Sequence, residues 1–379
     1  MELSFDIWKI LAGVAIFLLG MNMLEEALQY LAGRPFKLFL RKHTQHKLKA
    51  IGAGAVVTAL LQSSSIVNLM LLAFVGSGII QMQNGLAMML GSNIGTTFTS
   101  WIVATVGFEF NIERFALPVT GTAGIAMVLL NKHSKWFQLS KFFFGFSFLF
   151  VGLNFMKSAV EAMVQQTDLS RFNEYPVILF LLIGLLITTL IQSSSATIAL
   201  VLAALYSNAI ELVPAMAIVL GAEVGTTIKL LLASAKGIPA KKQAALGNFL
   251  MNVIISLLLV FFLDPFAQFI NEIIGIKSHV MALVVFQTLV NIISIVLFYP
   301  FLNPFGKFLS NRFAKNSDET LFIHKIKPAE TELALQAMQQ ETAHFLQLII
   351  AYCKHIFELK PEQKNGNEFY KKTPEEKYE

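Results

Sequence analysis

Charge is what this sequence most lacks. Of its 379 residues, 14% are charged and 55% hydrophobic, whereas an ordinary soluble domain carries about 25% charged residues. With a mean hydropathy of +0.63, that excludes a disordered chain and argues against a soluble globular one. The single cysteine, Cys353, excludes an intrachain disulfide framework. A phosphate-gripping P-loop, a dinucleotide glycine fingerprint and zinc-ligand spacing are all missing, which argues against nucleotide-driven and redox roles. The seven histidines (43, 46, 133, 279, 324, 344 and 355) fall outside the interiors of the expected spans, so a serine nucleophile there lacks its usual base. The net charge of +5 does not mark a nucleic-acid binder. Its basic residues stand in loops between apolar segments, as the cytoplasmic loops of a membrane protein do.

What is present is a series of apolar runs near the ~20 residues that cross a bilayer as a helix. Candidate spans are 7–31, 84–107, 113–131, 136–163, 212–235, 241–263 and 279–302. The first carries Asn22, Glu25 and Glu26 and no small-residue cleavage site, so it reads as a helix that stays rather than a signal peptide. Two regions, 51–80 and 176–208, are long apolar stretches broken near the middle by Gln-Ser-Ser-Ser. Each piece is too short to cross, so each region reads as a re-entrant hairpin that enters and leaves on one side. With the hairpins non-crossing, one set of loops collects Arg34 to Lys49, Lys132 to Lys141, Lys236 to Lys242, and Lys307, Arg312 and Lys315. The opposite set collects Glu109, Glu113, Asp168, Glu174, Glu211, Asp264 and Glu272. The basic side is expected to be cytoplasmic, with seven crossings, the N-terminus outside and the C-terminus inside a multi-pass inner-membrane protein.

The two hairpins belong to a duplication. "LLQSSSIVNLMLLAF" returns as "LIQSSSATIALVLAA" 130 positions later (Gln62 to Gln192), and "MLGSNIGTTFTS" returns as "VLGAEVGTTIKL" at the same offset. "FLLGMNMLEEAL" resembles "FLFVGLNFMKSAV". Each half holds one span, one hairpin and two more spans, an odd number of crossings, so the halves are expected to be inverted. Inverted repeats with discontinuous helices build many secondary transporters, with the site where the repeats meet. The expected fold is therefore an all-α membrane protein: repeat 1 over 1–135, repeat 2 over 136–270, a final span and cytoplasmic end over 271–315, and a cytoplasmic helical tail over 316–379.

Polar groups in hydrocarbon are costly unless paired. Serine is a strong N-cap, and two helix N-termini meeting at mid-depth form an anion site by dipole and free N–H groups. Gln62, Ser63, Ser64, Ser65, Gln192, Ser193, Ser194 and Ser195 are thus expected to hold a small oxyanion. Asn93, Thr96, Thr97, Glu223, Thr226 and Thr227, in the glycine-broken spans, offer oxygens to a small hard cation cotransported with it. The competing reading, that these hydroxyls only bind helices together, suits one serine better than two matched runs. Glu223, an ionisable residue within a span, is expected to coordinate the cation. Lys229 is expected to snorkel to the cytoplasmic interface, Glu25 and Glu26 to lie near the headgroups, and Asn22 and Asn154 to hydrogen-bond between repeats.

Both QSSS runs, "GSNIGTTFTS", "GAEVGTTIKL" and "AALGNFLMNVIIS" resemble the type II sodium-dependent phosphate cotransporter family, over roughly residues 8–305. The resemblance implies sodium-coupled symport of inorganic phosphate by alternating access and no enzymatic activity. Phosphate would lie between the two QSSS tips. Sodium, the coupling ion and the only ligand besides phosphate, would be bound by Gln62, Ser65, Asn93, Thr96, Thr97, Gln192, Ser195, Thr226 and Thr227. The chain departs from the family pattern at Glu223, where asparagine is usual, at Asn248 and Met251 before Asn252, and at Gln287, Val290 and Asn291.

The tail "PAETELALQAMQQETAHFLQLIIAYCKHIFEL" (328–359) is amphipathic, with Leu335, Met338, Phe345, Ile349, Tyr352, Ile356 and Leu359 on a 3-4 spacing. It resembles the first helix of the PhoU-like domain carried by bacterial members. A whole bundle does not fit in what remains, so the expectation is a shortened chain or a stripe that forms a homodimer; a peripheral helix on the membrane core is the alternative. The rival functions are a sodium-coupled carrier of another oxyanion or a carboxylate, a phosphate sensor signalling through the tail, and a hydrolase with a Ser–Lys dyad using Lys229.

Overall fold

The computed structural model describes residues 2–42, 46–109, 112–166, 175–313 and 331–356. All regular structure among them is helical. In order the elements are α1 (Glu2–Lys42), α2 (Lys47–Leu61), α3 (Ser64–Gly76), α4 (Met82–Glu109), α5 (Ile112–Leu129), α6 (Lys135–Gln166), α7 (Val177–Ile191) and α8 (Ser194–Tyr206). They continue with α9 (Leu212–Ser234), α10 (Pro239–Leu259), α11 (Leu263–Gln268), α12 (His279–Phe298), α13 (Leu302–Ser310) and α14 (Thr331–Ile356). The chain divides into two units, Met1–Phe313 and Ala314–Glu379.

In the first unit, helix pairs approach through glycine, because only a missing Cβ lets backbones come this close. On α1 and α6 the contacts are reciprocal. A Cβ on Gly20 would stand 2.7 Å from Gly145 O, and one on Gly145 would stand 2.6 Å from Gly20 O. Gly13 and Gly152 form the second such pair. Since 13 and 20 meet 152 and 145, the two helices run antiparallel. The same economy seats α2 on α4 and α7 on α9. A Cβ on Gly91 would fall 1.9 Å from Ile51 O, and one on Gly221 would fall 1.9 Å from Leu181 O. These two contacts are again 130 positions apart. Helix α12 packs on α4, α8 and α9, and α10 packs on α3, α4 and α9. The polar motifs of α4 and α9 thus lie at the centre.

Among the described residues, five segments are long and apolar enough to cross a membrane: Ile7–Ala32, Lys135–Gln165, Leu212–Ser234, Pro239–Ile273 and His279–Phe298. The sequence reading expected seven. Of the other two, α4 is long but carries Gln83, Asn84, Ser92, Asn93, Thr96, Thr97, Thr99 and Ser100, which lower its hydropathy, and the apolar part of α5, Arg114–Leu129, is short. His279, expected outside the span interiors, is the first residue of α12. Large apolar side chains such as Val128, Leu190 and Phe261 are exposed, as a lipid-facing exterior requires. Asp168, Glu174 and Lys315, used in the charge argument, lie outside the described residues.

In the second unit, α14 covers most of the expected amphipathic stretch, and Leu335, Met338, Phe345 and Ile349 of its stripe are exposed; Leu359 lies outside the described residues. The close approaches in the first unit generate a prediction. Gly221→Val is expected to lower the stability of the purified protein by about 1–3 kcal/mol or to prevent assembly, as overpacking does. Gly52→Ala, where a Cβ meets nothing within 4 Å, is expected to be silent. Thermal unfolding in detergent measures both, and equal midpoints for the two variants would contradict the packing described.

Candidate functional site

Both QSSS runs form the same local structure. Helix α2 ends at Leu61, Gln62 takes the left-handed region (φ 55°, ψ 21°), Ser63 is extended, and α3 begins at Ser64. The second copy repeats this closely: Gln192 at φ 59°, ψ 24°, Ser193 extended, and α8 from Ser194. A left-handed conformation costs a residue with a Cβ roughly 1–2 kcal/mol. Strain of this kind, held in place by surrounding structure, concentrates at functional sites. Val67 N–H bonds Ser63 O at 3.4 Å and Thr197 N–H bonds Ser193 O at 3.3 Å, the first helical bonds of α3 and α8. The N–H groups before them have no helical partner, although Ala196 N–H finds Ser193 Oγ at 3.4 Å.

The two turns meet. All eight QSSS residues line one cavity of about 240 Å³. Thr96 of α4 and Thr226 of α9 close it on one side, and Leu18, Met21, Asn22 and Glu25 of α1, with Lys229 of α9, complete the wall. Next to it a space of about 20 Å³ is lined by Ser64, Ser65, Ser194, Thr96 and Thr226 again, together with Asn68, Asn93, Glu223, Thr227, Lys229 and Asn248. Room for one water needs about 10–15 Å³ on this scale, so it suits a single small ion. Thr97 is the one expected site residue that lines neither; its hydroxyl donates to Ile94 O at 2.7 Å. A further cavity of about 300 Å³ between α4, α5 and α6 is walled by Val106, Phe115, Phe146 and other apolar groups and offers an ion nothing but Ser147.

Hydrogen bonding separates donors from acceptors. Thr96 Oγ1 donates to Ser92 O at 3.1 Å and Thr226 Oγ1 to Ala222 O at 3.0 Å. Each hydroxyl has one proton, so these two present only lone pairs to the cavity. Ser193 Oγ accepts from Ala196 N–H, which leaves its proton free to donate. Gln62 is engaged on both sides of its amide: Nε2 donates to Ala59 O, and Oε1 accepts from Thr99 Oγ1 at 2.9 Å.

Around Glu223, 6% exposed, the acceptors accumulate. Gln287 Nε2 donates to its carboxylate at 3.0 Å. On the other half, Asn93 Nδ2 donates to Asn252 Oδ1 at 3.3 Å. Asn252 and Asn291 each donate to the carbonyl four residues back, at Asn248 and Gln287. The side-chain oxygens of Asn68, Asn248 and Gln287 are buried with no hydrogen-bond partner. Unpaired buried acceptors are costly, and those of Asn68 and Asn248 belong to residues lining the smaller space, where a water or a cation satisfies them. Among the described residues no cluster of three His, Cys, Asp or Glu forms a transition-metal site.

Two expectations fail here. Lys229, expected to reach away to an interface, instead lines both spaces, because α9 carries it one turn beyond Thr226 on the same face. Glu25 is not a headgroup residue either. Successive helical residues point about 100° apart, so Glu26 turns out to an ion pair with Lys141 while Glu25 turns into the cavity. Asn22 lines the cavity as well. Asn68, Asn248, Asn252 and Gln287 were given no role by the sequence reading, although Asn248 and Gln287 stood out as departures from the family pattern.

The Glu223–Gln287 bond yields a prediction. Gln287→Leu is expected to destabilise the protein by about 1–3 kcal/mol, the cost of leaving a buried group without its partner. In a Glu223→Leu background the same change is expected to cost much less. A double-mutant cycle read by thermal unfolding checks this, and additive effects would show that the bond carries no weight.

Comparison with known proteins agrees with this geometry. The sequence profile of the Na+/Pi-cotransporter family matches residues 16–158 and 165–288. The uncharacterized protein YqeW of Bacillus subtilis is 30% identical over 272 residues, 69% of this chain and 83% of that protein. A putative inorganic phosphate export protein, YjbB of Salmonella typhimurium, is 25% identical over 275 residues, 72% of this chain and 50% of the relative. The mouse sodium-dependent phosphate transport protein 2A is 29% identical over 96 residues, 25% of this chain and 15% of the relative. The chain thus spans about half the length of the phosphate-export relative. No solved structure matches. With the profile covering both QSSS turns and both Gly-Thr-Thr motifs, the chain belongs to the Na+/Pi-cotransporter family.

Proposed function

We propose that the chain is a secondary transporter that moves inorganic phosphate across the cell membrane together with sodium. The observation that carries this reading is the meeting of the two QSSS turns at one polar cavity. Two helix N-termini, free serine protons and Lys229 make that cavity a donor site for an oxyanion. Ser63, Ser64, Ser65, Ser193, Ser194 and Ser195 are its direct ligands, and Gln62 and Gln192 set the turns. Sodium takes the acceptor side: Glu223, Asn93, Thr96, Thr226 and Thr227, with Ser65 and Ser195 shared. The orphaned oxygens of Asn68 and Asn248 extend this set. Thr97 belongs to the scaffold of α4.

The antiparallel, reciprocal packing of α1 on α6 and the matched contacts of α2–α4 and α7–α9 support an inverted repeat over residues 1–135 and 136–270. In that arrangement α2–α3 and α7–α8 are re-entrant hairpins, α4 and α5 are crossings despite their low apolarity or short length, and α12 is the seventh. The basic loops support a cytoplasmic C-terminus and an outside N-terminus. The exposed stripe of α14 serves pairing of two copies.

Charge fixes the need for a cation. Each negative charge carried to a negative interior costs about 2.3 kcal/mol per 100 mV. A divalent phosphate needs at least two monovalent cations to cross without that cost. Alternating access around the repeat interface supplies the path. The relatives' names speak both of export and of sodium-dependent transport, so direction follows the imposed gradients.

The test is uptake of labelled phosphate into proteoliposomes. An inward sodium gradient is expected to drive accumulation. Ser64→Ala and Ser194→Ala are each expected to cut it about tenfold or more, since hydrogen bonds to charged groups contribute about 1.5–3 kcal/mol. Glu223→Gln is expected to raise the sodium concentration for half-maximal uptake. Uptake indifferent to sodium overturns the coupling, preference for sulfate overturns the substrate, and covalent labelling of a QSSS serine by a fluorophosphonate favours the hydrolase. A chain cut after Lys315 is expected to keep transport; its loss would favour the sensor.

A further inference from the structure

The cavity assigned to an oxyanion already contains a carboxyl group. Glu25 projects from α1 into the wall formed by the two QSSS turns and Lys229. Its carboxylate is an acceptor only, whereas the serines and the ammonium around it are donors. The Ser63 hydroxyl and the Lys229 ammonium line the same cavity as its carboxyl group. The two charges are half-buried and form no ion pair within 4 Å, the ion pairs among the described residues being Lys141–Glu26 and Lys157–Glu161. A carboxylate and a phosphate dianion in one small cavity repel each other, so one of them must yield the shared donors.

We infer that Glu25 is an internal stand-in for the substrate: in the empty cavity it holds Ser63 and balances Lys229, and the entering oxyanion takes over both. The inference rests on the phosphate reading proposed above and adds a coupling device to it. Once displaced, Glu25 lacks a counter-charge, and a sodium ion supplies it. Anion binding then raises cation affinity, and cation binding raises anion affinity by the same factor. Lys229 gives the anion one fixed positive charge that no gradient has to deliver.

The experiment is equilibrium binding of labelled inorganic phosphate to the purified full chain, with and without sodium. Glu25→Gln keeps the shape and removes the charge. It is expected to raise sodium-free phosphate affinity about tenfold and to shrink the enhancement by sodium, a coupling of ordinary size. Lys229→Gln is expected to lower affinity by a similar factor, and Lys229→Arg to restore it. With wild-type binding intact, a Glu25→Gln affinity that is unchanged or weaker, with the sodium enhancement undiminished, overturns the inference alone. A wild-type chain that binds no phosphate overturns the underlying reading. Should Glu25→Gln fail to fold, Glu25→Ala is read in the same assay: higher sodium-free affinity with a smaller sodium enhancement supports the inference, and unchanged affinity with the enhancement undiminished overturns it.

Discussion

A helix that stops among apolar neighbours must do something with its free backbone groups, and this constraint organises the molecule. At Gln62 and Gln192 one left-handed residue ends a helix, and an extended serine starts the next within two positions. The first N–H groups of α3 and α8 are left facing a shared space. A glycine would relieve the strain at the left-handed position, but it would remove the side chain that ties the turn down. In the first copy, Gln62 bonds back to Ala59 O and across to Thr99, so the strained residue also fastens the tip to α4. The rest follows: α4 and α9 must lie close enough to present their threonines, and Gly91 and Gly221 allow that approach.

The two neighbouring spaces use the same hydroxyl chemistry in opposite senses. A serine whose oxygen already accepts can still donate its proton. A threonine that has donated its proton to the helix behind it can only accept. The placement of one hydrogen bond per residue thus sorts Ser193 toward an anion and Thr96 and Thr226 toward a cation. The two spaces share Ser64, Ser65 and Ser194 as wall. An anion and a cation held at that separation would neutralise each other, which lowers the cost of taking either out of water.

Much of the site was legible because duplication marks it. Two identical QSSS runs, at the same offset as two Gly-Thr-Thr motifs, are enough to pick out most of the polar lining of the cavity. The membrane-like, all-helical character was legible from missing charge. What stayed hidden depends on facing rather than on type. Glu25 and Glu26 are chemically alike and adjacent, yet one turns inward and the other pairs with Lys141. Thr96 and Thr97 divide in the same way. Lys229 was misplaced because its distance from the end of α9 says nothing about the gap between helices that opens beside it. Asn252 and Gln287 reach Asn93 and Glu223 from 159 and 64 positions away, separations at which a single sequence offers no pairing signal.

The halves match in scaffold but not in charge. Asn93 on α4 meets a neutral amide on α10, while Glu223 on α9 meets an amide on α12. Both α10 and α12 carry an amide side chain whose partner is the carbonyl four residues before it, so the supports are alike and the difference comes down to one carboxylate. A neutral pair is satisfied by its own hydrogen bond. A buried carboxylate is not filled by the Gln287 donor alone, because its two oxygens offer about four lone-pair sites. The unpartnered oxygens of Asn248 and Gln287 near it deepen the deficit. A matched scaffold carrying an asymmetric charge therefore concentrates its unfilled acceptor capacity on the α9 side, which polarises the neighbouring cavity toward one half.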